Sequence, residues 1–466
     1  MTARGQDTAP GQDTARDRDT ARDRDTARDH DTARDHDTAR DHDVVVYGAS
    51  GFVGRLVAAH LAEHAPPGLR VALGGRSRDR LEQVRSTLPT PARAWPLVVA
   101  DASDGAAMAG LAASTRVVAT TVGPYVRHGL LLARACAEAG THYADLTGEV
   151  LFVRRLIDEI DDVARSTGAR LVTSCGFDSV PSDLGVLMLH ERARADRAGG
   201  LCDTTLLVTR LRGGLSGGTI DSMRQQLASA RSEAAARRII LDPYALSPDR
   251  ALEPDRGRER DVTGVFRDQD TGQWTAPFVM APFNSRIVRR SNALSDYAYG
   301  RGFRYRELMA FGTGVAAQAR AAALAGGLGL AILGMASPIT RPLLDRLLPS
   351  PGEGPGEEAR RHGRFRVEVR TTTASGRRYL AVVAAQADPG YAATAVMLGE
   401  SALCLAVDDG RLPGRAGVLT PATAMGEVLA GRLRARGFTL GVEELTSGPV
   451  ASPGSADAPA RATAQR

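Results

Sequence analysis

Three glycines spaced by three, Gly48, Gly51 and Gly54, follow the short apolar run Val44-Val45-Val46-Tyr47 and open an amphipathic stretch that reaches about His64. A strand that turns on glycine into a helix is the arrangement a dinucleotide diphosphate requires. Gly48 permits the tight turn, Gly51 lets the diphosphate approach the main chain, and Gly54 lets the helix pack closely on the sheet. The helix start supplies free N–H groups and a positive dipole end. Ser50, Phe52 and Val53 share the turn and are read as coenzyme contacts with it. The second strand ends in Gly75-Arg76-Ser77, where a site for the unphosphorylated coenzyme would carry Asp or Glu for the ribose hydroxyls. A carboxylate there would repel a 2′-phosphate, whereas a guanidinium binds one in two-pronged fashion. The predicted coenzyme is therefore NADPH, with Arg76 its main phosphate contact and Ser77 a further donor.

Further along lie the groups that would face the reacting carbons. Asp101 closes the third strand and either bonds the adenine amino group or caps the next helix. Thr121, Gly123 and Pro124 end the fourth strand, where the nicotinamide half should lie. Tyr125, next in line, is either a proton donor or a packed aromatic. The segment from Ser174 to Asp183 offers Asp178 and Ser179 as candidate catalytic groups, its rival reading being a glycine turn plus helix cap with Pro181 in the first turn. Glu149 is a candidate for substrate or ribose. Cys175 has no histidine partner and reads as a small buried residue. No metal site is predicted. All 59 basic residues are arginine, so Schiff-base chemistry, a lysine base and a lysine phosphate loop are excluded.

These residues need a scaffold of alternating strands and helices. Five or six apolar strands between Val44 and Ser174 alternate with helical stretches, which predicts a doubly wound parallel α/β sheet of the Rossmann type over residues 44–183. Beyond Asp183 the pattern becomes a mixed α+β domain over 184–421. Its clearest part is a hairpin, Phe365–Thr372 against Arg377–Ala387 around Ala374-Ser375-Gly376. Residues 278–290 read as strand or irregular chain, and 242–275 as a long excursion. The helix and strand over 422–446 return to one of the two units, with the first domain as one possibility.

Residues 2–43 are seven hexads drifting from Thr-Ala-Arg-Gly-Gln-Asp to Thr-Ala-Arg-Asp-His-Asp. They offer nothing apolar beyond alanine to offset ordering entropy, and 1–43 is expected to be disordered. His30, His36 and His42 recur beside aspartates and would bind a metal weakly at most. Residues 447–466 are rich in Ala, Pro and Ser and are expected to be equally loose. At 466 residues and a net charge of +5, the chain has room for two or three domains. Its arginines lie scattered among acids, without the basic stripe of a nucleic-acid binder. Four dispersed cysteines and the lack of an apolar leader predict the cytoplasm. The uncharged stretch 321–340 reads first as a buried helix, with a helix resting on lipid or a membrane span as rivals; the second would place the protein peripherally at the plasma membrane.

Taken together, Tyr-Gly-Ala-Ser-Gly-Phe-Val-Gly (47–54), Gly-Gly-Arg-Ser (74–77), Thr-Val-Gly-Pro-Tyr (121–125), Tyr-Ala-Asp-Leu-Thr-Gly-Glu (143–149) and Cys-Gly-Phe-Asp-Ser-Val-Pro-Ser-Asp (175–183) resemble the saccharopine dehydrogenase-like oxidoreductases. Within them the chain is most similar to the actinobacterial trans-acting enoyl reductases, over about residues 44–445 and including Gly217-Gly218-Thr219 and Pro351–Gly356. The resemblance implies NADPH-dependent reduction of an α,β-unsaturated acyl thioester, carried on CoA or a carrier protein, in concert with a polyketide synthase making cell-envelope lipids. Rival functions are a C–N oxidoreductase, with Arg210, Arg212 and Arg224 as carboxylate binders, and a non-catalytic NADP-binding protein associated with lipid. A homo-oligomer is left open.

Overall fold

Short β-branched runs bounded by glycine build the first sheet. They are β1 (His42–Tyr47), β2 (Val71–Gly75), β3 (Leu97–Val99), β4 (Thr115–Thr120), β5 (His142–Ala144) and β6 (Arg170–Val172). In the computed structural model, which describes residues 40–213, 217–253, 259–336 and 362–445, helices separate all of these strands. The chain then builds a second sheet from β7 (Leu201–Arg212), β8 (Phe266–Arg267), β9 (Trp274–Pro277), β10 (Arg304–Ala310), β11 (Arg364–Thr373) and β12 (Arg378–Ala385). Late in the chain β13 (Gly417–Leu419) goes back to the first sheet, and β14 (Thr439–Leu445) to the second. The orders are β13-β6-β5-β4-β1-β2-β3, parallel throughout, and β14-β12-β11-β7-β10-β9-β8, mixed. The predicted Rossmann sheet and second α+β sheet are both present.

Several boundaries differ from the sequence expectation, for physical reasons. The last hexad is part of the folded body where it is described: Arg40 hydrogen-bonds the Ala139 carbonyl at 2.7 Å, and Asp43 pairs with Arg70 at 2.8 Å. His42 lies in β1, while residues 1–39 and 446–466 lie outside the described residues, and so does the 351–356 motif. Residues 281–294 form a helix, not a strand. Three arginines had obscured its apolar face, and all three are buried because carbonyls receive them, joined by the carboxylates of Asp261 for Arg286 and Glu259 for Arg289. Arg286 reaches Asp242 and Ile240, Arg289 reaches Pro243 and Tyr305, and Arg290 reaches Leu246 and Val418. The excursion near 240–246 is thereby tied to the body of the protein.

The helix Thr394–Val407 is almost wholly buried and lies against the Phe52–His64 helix. A Cβ at Gly399 would come within 2.5 Å of the His60 ring, so only glycine permits this approach. Next to it the buried Glu400 accepts from His60 at 2.9 Å and Arg436 at 2.6 Å. The helix Val315–Ala336 is different. Among its described residues only Ala317 and Ala321 are fully buried, whereas Leu330 is 72% and Leu333 68% exposed. The expectation of a buried helix at 321–340 therefore fails for most of its surface; residues 337–340 lie outside the described residues.

Candidate active site

Strand order reverses between β1 and β4, because β2 and β3 extend the sheet to one side and β4, β5 and β6 to the other. Such a switch point opens a crevice at the strand ends, and the turns after β1 and β4 form its lips. Gly48 has φ +89°, and a Cβ there would lie 2.7 Å from Thr121 Oγ1. A Cβ on Gly54 would lie 2.1 Å from the Gly48 carbonyl oxygen. Thr121 donates to that same carbonyl at 3.2 Å, bracing the first turn against the fourth strand. The helix that follows starts at Gly51 with no side-chain cap, which suits an anion at its N-terminus. Ser50 is half-buried in this turn. These are the properties of a diphosphate cradle.

Arg76 is exposed at the end of β2. Ser77 caps the Arg78–Thr87 helix by accepting from the Arg80 N–H at 3.5 Å, which leaves its hydroxyl proton to donate. Asp101 does not cap the next helix; Asp104 does, accepting from Ala106 and Ala107. Asp101 instead accepts from the Ser103 N–H and hydroxyl, which hold its carboxyl below the usual range. Arg76→Asp should raise the dissociation constant of NADPH by roughly 10- to 100-fold, the weight of one charge-assisted contact, and leave NADH binding nearly unchanged. Calorimetry with both coenzymes measures the difference, and equal losses would mean that Arg76 does not read the 2′-phosphate.

From the crevice a cavity of about 620 Å³ runs between the two sheets. The first sheet contributes Gly51, Phe52, Val53, Thr121, Gly123, Pro124 and Tyr125, along with Thr147, Ser174 and Asp178. The far wall is apolar: Phe278, Met280 and Met309 from the second sheet's side, and Leu324, Gly327, Leu328 and Ala331 from the exposed helix. Phe52 stands edge-on to Tyr391 at 4.9 Å and joins the two walls. Arg210, Arg212 and Arg224 are not in the lining, whose only charged side chains among the described residues are Asp178 and Asp221.

The polar candidates divide sharply. Tyr125 is buried, donates to the Thr120 carbonyl at 3.2 Å and accepts from the Leu146 N–H at 3.1 Å. Burial drives its pKa far up, and with its proton engaged by the Thr120 carbonyl the phenol braces two strand ends. Ser179 is buried against Asn284 at 3.3 Å, away from the cavity and capping nothing. Glu149 accepts from the Tyr125 and Val126 N–H groups and from Ser222, so it is a brace and not a ribose ligand. Cys175 is buried and its thiol is pushed up by burial, as expected for a packing residue. Asp178 remains. It lines the cavity half-buried, and desolvation there pushes its carboxyl up to about 6.

Sequence reasoning placed Ser174 in a segment facing the crevice but did not single it out. Its backbone is left-handed (φ 67°) although it is not glycine, its N–H donates to Asp145 at 2.8 Å, and its buried hydroxyl has no partner. Such strain in a cavity wall is a mark of functional sites. Asp145 organises this corner, taking the Tyr143 hydroxyl at 2.9 Å and the Thr147 N–H at 3.0 Å while burial raises its carboxyl to about 7.

Residues 44–172 match the family of the saccharopine dehydrogenase NADP-binding domain. A Mycobacterium tuberculosis protein provisionally named a trans-acting enoyl reductase is 50% identical over 412 residues, covering 87% of this chain and 98% of its own. The trans-acting enoyl reductase of Mycobacterium ulcerans is 47% identical over 412 residues, covering 86% and 98%. Among solved structures, the apo saccharopine dehydrogenase (L-Glu forming) of Saccharomyces cerevisiae aligns over 87% of this chain and all of its own, with 14% identity and a TM-score of 0.48.

Proposed function

The chain belongs to the trans-acting enoyl reductase family, an NADP-dependent oxidoreductase family, and from that premise we propose that it reduces the α,β double bond of an acyl thioester presented by CoA or a carrier protein. The substrate would come from a polyketide or lipid synthase that lacks this reduction. One observation carries the reading: the cavity joins a diphosphate cradle to an apolar wall and carries no cationic side chain among its described lining residues. An amino-acid substrate would need a guanidinium for its carboxylate, and an uncharged acyl chain needs none.

NADPH supplies the hydride that goes to the β-carbon when it is bound. The glycine turn and helix start would hold its diphosphate, Arg76 and Ser77 its 2′-phosphate, and the Thr121–Pro124 loop its nicotinamide end. The unpartnered Ser174 hydroxyl would donate to the thioester carbonyl, which would draw electrons from the double bond as it is reduced. Asp178 would deliver the proton to the α-carbon, giving a saturated thioester and NADP⁺. Its raised pKa keeps part of the population protonated near neutrality. The walls would align the reactants, which would supply much of the remaining rate.

The direct test follows NADPH absorbance with enoyl thioesters of graded chain length, on both CoA and carrier protein. Turnover is expected to improve with acyl length. Tight NADPH binding without turnover on any of them would favour a non-catalytic NADP-binding protein instead.

A further inference from the structure

We propose that the Val315–Ala336 helix docks on an anionic lipid bilayer, lying in its surface, so that the cavity behind it opens toward the membrane. This inference stands independently of the reaction assigned above.

From Ala321 onward the helix is apolar all round. Ala323, Leu324, Gly327, Leu328 and Ala331 form a wall of the cavity. Leu330 and Leu333 do not line it and are exposed. After Arg320 the helix has no charge, and this uncharged part runs for about 24 Å at 1.5 Å per residue. Water is a poor solvent for so long an apolar surface, and patches of this kind mark interaction sites.

The occupant follows from what the helix lacks and from what surrounds it. Tight protein interfaces rest on Trp, Tyr and Arg anchors inside a polar rim. From Ala321 to Ala336 this helix offers none of those residues, only alanine, glycine, leucine, isoleucine and one methionine. In the sequence no acidic residue occurs between Glu307 and Asp345, and the two charges within that interval are Arg320 and Arg341. An apolar stretch with an arginine at each end and no acidic residue between favours a leaflet of negative surface potential over a neutral one. The buried Ala317 and Ala321 and the cavity-lining residues between Ala323 and Ala331 hold the helix to the body over several turns, so it would lie on a membrane and not cross it. Because one helix supplies both the docking face and the cavity wall, an acyl chain could pass between lipid and cavity without crossing water.

Flotation of the full-length protein with vesicles provides the test, using phosphatidylcholine alone and phosphatidylcholine with phosphatidylglycerol. The protein should rise with the mixed vesicles, less with the neutral ones, and less again in high salt. Leu330→Glu with Leu333→Glu should weaken flotation at least tenfold, and NADPH affinity should stay unchanged because neither residue lines the cavity. Absence of flotation with both compositions would overturn the proposal, as would flotation indifferent to the double substitution. So would sedimentation equilibrium showing that the wild type is a dimer which the double variant dissolves while no vesicle binding occurs, since a second copy would then be the occupant.

Discussion

Gly54→Ala should reduce NADPH affinity by more than about 100-fold. The new methyl would sit 2.1 Å from the Gly48 carbonyl oxygen and 2.9 Å from the Ala49 Cα, both main-chain atoms that cannot rotate away. The turn must therefore move off the helix, and the N–H groups aimed at the diphosphate move with it. Each charge-assisted hydrogen bond is worth about 1.5–3 kcal/mol, so losing two amounts to a factor of about 100 or more. Overpacking should also lower stability by about 1–3 kcal/mol. Gly51→Ala makes the internal comparison: its Cβ would meet the Gly48 oxygen at 3.2 Å, and the loss should be much smaller. Gly105→Ala, which points into open space at a helix start, should change nothing. Calorimetric titration with NADPH, with thermal melting in parallel, measures all three. Full affinity in a folded Gly54→Ala protein would remove the diphosphate from this turn.

The second large effect concerns the proton. Asp178→Asn should lower kcat by about 100-fold or more, within the range for losing a general acid, and leave NADPH affinity intact. The sign of the pH dependence follows from the direction of the shift. Burial raises the folded-state carboxyl from its usual 3.8 to about 6, so the acid form prevails below that value and is depleted above it. Where protonation limits the rate, wild-type kcat should fall roughly tenfold per unit as pH rises past 6, and the asparagine variant should be flat over the same range. The same shift makes ionised Asp178 a cost to the folded state at higher pH, a cost relieved on acidification through 6. An asparagine variant with wild-type turnover and the wild-type profile would hand the proton to water.

What could be read in advance depended on whether an interaction is local in the chain. The glycine turn, the arginine after β2 and the β11–β12 hairpin are patterns of adjacent residues, and their chemistry can be inferred from spacing alone. The roles of Tyr125, Ser179 and Glu149 could not. Each is consumed by a partner elsewhere, the Thr120 carbonyl and Leu146 amide, Asn284, and Ser222 with two N–H groups, and nothing in their own neighbourhoods announces it. Ser174 escaped for a related reason. A left-handed serine is forced by the contacts around it, here including the N–H bond to Asp145, and carries no signature of its own. The Ala281–Leu294 helix was concealed by arginines that sequence patterning assigns to solvent and that main-chain carbonyls instead draw inward.

The return of late sequence to the first sheet sets an order on synthesis. β13 completes the sheet edge beside β6, and the Thr394–Val407 helix covers the flank of the Phe52–His64 helix. A nascent chain that has emerged only as far as β6 therefore carries the whole glycine turn but presents a bare sheet edge and an uncovered apolar surface. Contacts this distant in sequence form slowly. The nucleotide-binding half, although encoded first, would be among the last parts to close, and a chaperone would meet it with that edge still open.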